Sequence, residues 1–137
     1  MGSWGPRSFE DDIACDWLED LLDSDPIAFF DHCLDLSGLD SLEMLACIGV
    51  VCTAEMIRGL LCGPRDGLPE SAHRWLQQND SLDVLVQSLV PSTVDGLRRV
   101  LSPDSEMYQQ WDDAGPEFDA WHNNVESLLH ELRLTVI

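Results

Sequence analysis

Apolar side chains return at helical spacing almost as soon as the chain begins. Ile13, Ala14, Trp17, Leu18, Leu21 and Leu22 form one stripe, while Asp16, Glu19, Asp20 and Asp23 take the other side and Asp11 or Asp12 is placed to cap the helix. Asp25-Pro26 reads as a cap followed by a first-turn proline, opening a second helix on Ile27, Phe30, Cys33 and Leu34 that ends at Ser37-Gly38. Asp40 and Glu43 have the spacing of a capping box, with Asp in place of Ser or Thr, and open the longest helix. Every residue from Met44 to Ala54 except Thr53 is apolar or Gly, and the pattern continues through Met56, Ile57, Leu60 and Leu61 to an exit at Gly63-Pro64.

Pro69 reopens a short helix on Ala72, Trp75 and Leu76, closed by Asn79-Asp80. The spacing from Leu82 to Leu101 stays in step across Pro91, but an interior proline removes a backbone hydrogen bond, so a break is expected near Val90. Ser102-Pro103 reads as the cap of a helix carrying Met107, Tyr108 and Trp111, and Pro116 starts a last helix on Phe118, Trp121, Val125, Leu128 and Leu132. Only Leu134 to Ile137 has any strand character. The pattern predicts an all-α fold, a single compact domain of about six to seven helices around a central apolar helix. Residues 1–10 are expected to form an N-terminal loop pinned to the core by Trp4 and Phe9.

Composition adds to this picture. A chain of 137 residues is one domain in length, and 45% apolar content argues that it folds despite a formal charge of -19. The seven basic residues are all Arg, against 26 Asp and Glu. Binding to nucleic acid or to an anionic membrane surface needs clustered cations, and only Arg98 and Arg99 stand together, so neither partner is expected. The eleven-residue run from Met44 is also shorter than the roughly 20 residues a membrane crossing needs. Such a field favours cationic partners, polyamines or metal cations; the plainer reading is solubility.

Five cysteines, none arranged as Cys-x-x-Cys, suit buried thiols in a reducing cytoplasm better than a disulfide framework. The first ten residues lack a secretory signal's basic flank and apolar core, and Pro6 stands where a myristoylation pattern needs Ser or Thr.

No recognised catalytic or phosphate-binding motif is present, no cofactor is implied, and no two of His32, His73, His122 and His130 share a helix face at ligand spacing. Asp35 to Asp40 lacks the alternating ligands of a calcium loop. Two features remain. Glu55 and Arg58 interrupt the central helix three residues apart, as an ion pair at the rim of the core or as a carboxylate held in an apolar cleft. The first helix presents Asp12, Asp16, Glu19, Asp20 and Asp23, as a solvated outer face or as a surface that steers a basic partner. Trp4 joins them as a candidate contact.

The opening Met1-Gly2-Ser3-Trp4-Gly5, then Phe9, Asp11-Asp12 and Trp17-Leu18, resembles that of a bacterial family of uncharacterised small proteins, domain of unknown function 4259. Ala54-Glu55 to Gly59, Leu68-Pro69-Glu70, Ser105-Glu106 to Trp111 and Trp121 to Leu132 are similar to the family's later blocks. Arg7, where such an opening has Gly, and Pro91 depart from it. The resemblance implies a helical fold and a bacterial origin, with no catalytic residues to carry over.

The reading that follows is a non-enzymatic acidic protein-binding module, antitoxin- or immunity-like in kind. The alternatives are a small-molecule or metal-cation binding protein, or an enzyme using a pocket carboxylate. They separate on whether Trp4, Phe9 and Trp17 close over a cavity floored by Glu55 or His32 or merely seal the core.

Overall fold

The computed structural model describes residues 5–36 and 42–135. Trp4, Asp40 and the last two residues lie outside the described residues. Helix α1, Asp12–Leu22, starts at Asp11, whose Oδ1 accepts from the backbone N–H of Ile13 (2.8 Å) and Ala14 (3.2 Å). Ala14, Trp17, Leu18 and Leu21 are buried. Ile13 and Leu22 flank that stripe and remain 38% and 48% exposed, so the buried arc is narrower than the apolar pattern predicts. Helix α2, Pro26–Leu36, begins at its proline and buries Phe30, Cys33 and Leu34.

Helix α3, Met44–Cys62, is the axis of the fold, with α1, α2, α6 and α8 packed around it. It is unbroken in burial from Cys47 to Ile57. The helix is longer than its apolar run. Its 19 residues and mean hydropathy of 1.8 would suffice by length and composition for a membrane crossing, but 67% of its most apolar 18-residue stretch is buried inside this protein. Gly59 lets α4, Glu70–Gln78, come close, because a Cβ there would lie 2.8 Å from Leu76 Cδ1. Gly63, at φ 91°, ends the helix as its sequence suggests.

The start of α3 differs from expectation. Glu43 precedes the first turn and makes no side-chain capping bond; the N–H of Met44 instead donates to Glu106 Oε1 at 3.2 Å. In return the Glu106 N–H donates to the Leu42 carbonyl at 3.0 Å. A carboxylate from a distant helix thus does the work expected of a local one.

After α4 the chain tightens into a 3₁₀ turn (Asp80–Leu82), one α-turn α5 (Asp83–Val86) and a second 3₁₀ turn (Gln87–Leu89). Helix α6, Val90–Val100, then begins with Pro91 in its first turn, where a missing N–H costs nothing. The break near Val90 is therefore where proline requires it. Helix α7, Glu106–Ala114, is capped by Ser105, three residues beyond the predicted Ser102-Pro103. Ser105 wins because its buried Oγ both accepts from the Tyr108 N–H (3.0 Å) and donates to the Val100 carbonyl (2.6 Å). Helix α8, Phe118–Arg133, buries Trp121, Val125, Leu128 and Leu132 as its spacing predicts. Leu134 and Thr135 continue as a turn, not as a strand.

Among the described residues there are seven helices of nine residues or longer and no β-strand, arranged as an all-α domain around a central apolar helix.

Candidate functional site

Glu55 sits on the buried side of α3, 3% exposed. Its partner is not Arg58. Ser8 Oγ donates to Glu55 Oε2 at 2.6 Å, and Arg65 Nη1, from the loop after α3, lies 3.4 Å from the same oxygen. Arg65 also donates through Nη2 to Asn124 Oδ1 (2.5 Å), and Asn124 Nδ2 donates to Ser8 Oγ (3.2 Å). Four residues from four parts of the chain thus close a ring. Glu55 Oε1 is buried with no hydrogen-bond partner among the described residues.

Burial pushes the Glu55 carboxyl above the ordinary carboxylate range, and the nearby Arg65, the Ser8 hydroxyl and Arg58 only partly offset it. Arg58 turns the other way. It pairs with Glu131 of α8 at 2.7 Å and donates to the Gly63 carbonyl at the end of its own helix. The expected Glu55–Arg58 rim pair is therefore two pairs, because the side chains leave α3 toward different neighbours. Glu43, at the head of α3, is exposed and shares no face with Glu55.

Phe9 holds the segment before α1 in place, 3% exposed and packed on Trp17, which in turn lies against Phe29 and Phe30. Phe9 and Trp17 seal the core. His32 is exposed, while Cys33 beside it is buried and accepts from Trp17 Nε1 at 3.4 Å. Cys47 and Cys52 are buried as expected, but Cys62 at the end of α3 is exposed. No group of three His, Cys, Asp or Glu side chains converges among the described residues.

One small cavity is lined in part by the segment before α1, residues 5–8 and Asp11. Arg7, Ser8, Asp11 and Asn124 supply its polar wall, Trp111 and Trp121 its aromatic wall, and Val51 part of its floor. Its volume is about 30 Å³, room for one or two water-sized groups. Neither Glu55 nor His32 lines it. Trp121 is buried and stacks on the half-exposed Trp111 with centroids 6.4 Å apart and planes at 8°.

Asp12, Asp16, Glu19, Asp20 and Asp23 are all exposed along α1, and none pairs with an Arg or His among the described residues. The structure therefore splits the sequence candidates. The α1 carboxylates stand together on one surface, Glu55 is interior, and Arg58 belongs to a different contact. Ser8, Arg65 and Asn124 carried no signal in the sequence, since each is an ordinary polar residue until the fold brings it to Glu55.

A family model described as Domain of unknown function (DUF4259) matches residues 2–124. No curated protein and no solved structure matches the chain.

Proposed function

Taking as premise that the chain belongs to the DUF4259 family, we propose that it is a non-enzymatic protein-binding module that uses the acidic face of α1 to hold a basic partner. One observation carries this reading. α1 is sealed on one side by Ala14, Trp17, Leu18 and Leu21 and lined on the other by exposed carboxylates with no cation against them among the described residues. Asp12 and Asp16, Asp16 and Asp20, and Glu19 and Asp23 are each one helical turn apart, a spacing at which like charges oppose the helix by about 0.2–0.5 kcal/mol per pair. A cationic surface laid on that face relieves the repulsion and gains from steering by a molecule of charge -19.

The interior supports the same choice over an enzyme. Glu55, the interior carboxylate, is committed to Ser8 and Arg65 and does not line the small cavity beside the ring.

The test is retention of proteins from native-host lysate by the wild-type chain and by a variant carrying Asp16→Asn, Glu19→Gln, Asp20→Asn and Asp23→Asn, at low and moderate salt. A basic protein held by the wild type and lost by the variant is the expected result. Equal retention by both overturns the assignment to α1.

A further inference from the structure

We propose that the hollow between α6 and α8 is a binding site for a small organic anion, a carboxylate or phosphate monoester with a short hydrocarbon body, gripped by Arg98 and Arg133. The assignment is independent of the acidic face of α1. Arg98 lies in the last turn of α6 and Arg133 in the last turn of α8, and these two helices pack against each other. The hollow is lined by Pro91, Val94, Asp95, Arg98 and Arg133 and encloses about 320 Å³. That is the lower end of the range for small-ligand sites, which begins at about 300 Å³.

Charge selects the occupant. The lining sets two guanidinium groups against one carboxylate, a local positive excess in a chain whose formal net charge is -19. Arg98 Nη1 donates to Asp95 Oδ1 at 3.4 Å, a long, exposed pair three residues apart on one helix, of the kind that contributes little in water. It engages one nitrogen of Arg98 and leaves the rest of the donor fork open. Arg133 is exposed and pairs with no Asp or Glu among the described residues, although the chain carries 26 of them. On its other side Arg133 borders a second hollow along α8 with Glu126 and His130, where Glu126 comes within ion-pair range of His122 Nδ1 (4.0 Å) but not of Arg133.

Helix carbonyls carry partial negative charge at the C-terminus, which accounts for cations in the last turns of α6 and α8. It does not account for Arg98 and Arg133 lining one hollow from two helices. Planar donor forks placed in this way suit the paired oxygens of a carboxylate or phosphate, which accept N–H bonds from two guanidinium groups at once. Pro91 and the buried Val94 give the body of such a ligand an apolar surface. The negative charge elsewhere on the molecule is screened over about 8 Å at physiological ionic strength, so the groups lining the hollow dominate once a ligand arrives.

Butyrate and butyl phosphate are the probes, each titrated into the folded full chain at constant ionic strength with sodium chloride as the balancing salt, and butylammonium is the control of opposite charge. NMR follows the Nε–H signals of Arg98 and Arg133 and the backbone amides of residues 92–98. Saturable shifts with the anions and none with butylammonium are expected, and the tighter anion identifies the head group. Arg133→Gln is expected to weaken binding by about 5-fold or more, and Asp95→Asn to tighten it by about 2- to 5-fold, because the hollow gains charge and Arg98 is released. Arg74→Gln removes one positive charge from α4, outside the hollow, and is expected to leave the affinity unchanged. All three side chains are exposed, so each variant should keep its fold, which thermal melting reads. Shifts that never saturate, an equal response to butylammonium, or an equal loss with Arg74→Gln and Arg133→Gln overturn the site.

Discussion

Ser8 and Glu55 are 47 residues apart in sequence, yet the Ser8 hydroxyl donates to Glu55 Oε2 at 2.6 Å. The bond fastens the segment before α1 to the middle of the central helix, and Arg65 and Asn124 complete the ring around it. Since Oε1 has no partner among the described residues, Ser8 and Arg65 carry the stabilisation of a carboxylate that is almost wholly removed from water.

Ser8→Ala removes the one hydroxyl donated to that carboxylate and the acceptor used by Asn124 Nδ2. Leaving a buried acceptor short of its donor costs about 1–3 kcal/mol. Urea denaturation of variant and wild type measures the loss, and faster amide exchange in residues 5–10 is expected beside it. Full stability with unchanged exchange would show that the ring holds nothing down.

The raised pKa of Glu55 gives this carboxylate an unusual sign in the pH dependence. Its folded form holds a proton at pH values where the unfolded chain has released it, so stability from this group is fully present below the unfolded pKa and is lost as pH rises through the folded pKa. Glu55→Gln lacks that leg. Denaturation of both proteins from acidic to neutral pH should show the wild type losing ground to the variant as pH rises. Parallel profiles, or a wild type that gains on the variant, would count against a burial-dominated Glu55.

Trp121→Ala is expected to cost about 3–5 kcal/mol, the range for truncating a buried aromatic side chain. The indole is 3% exposed and packs against Tyr108, Trp111 and Phe118. Trp111→Ala should cost less, since Trp111 is already half-exposed. Chemical denaturation ranks the two, and an inverted order would contradict the packing described.

Neutralising Asp16, Glu19, Asp20 and Asp23 should leave the fold intact and raise its stability slightly, by about 0.2–0.5 kcal/mol for each relieved pair. The gain should be present at low ionic strength and vanish near 1 M salt, where the screening length is about 3 Å. Thermal melts at the two salt levels read this directly. A destabilised variant would mean that these side chains make contacts their exposure does not suggest.

The helices were legible wherever one stripe met one core. Trp121, Val125, Leu128 and Leu132 lie as their spacing predicts, and Pro91 marks the true start of α6. Caps were legible only when local. Asp11 was found, but Ser105 was missed for Ser102, because the winning contact runs to the Val100 carbonyl. Glu55 stood out as a charge in an apolar helix, whereas its partners Ser8, Arg65 and Asn124 could not, since pairing across four segments leaves no periodic trace. The charge on α1 was legible in full, because exposure of a polar helix face follows from burial of the opposite one.

The reciprocal bonds between the head of α3 and the head of α7 bear on the order in which the molecule assembles. The N–H of Met44 is satisfied by Glu106, 62 residues downstream, and the Glu106 N–H by the Leu42 carbonyl. Among the described residues the most apolar helix of the chain therefore starts without a side-chain cap of its own, and the bonds that stand in for one form only once α7 has been made and has docked. An intermediate ending before residue 106 would hold α3 with a frayed entrance, which places this closure among the late, non-local events that set the pace of folding.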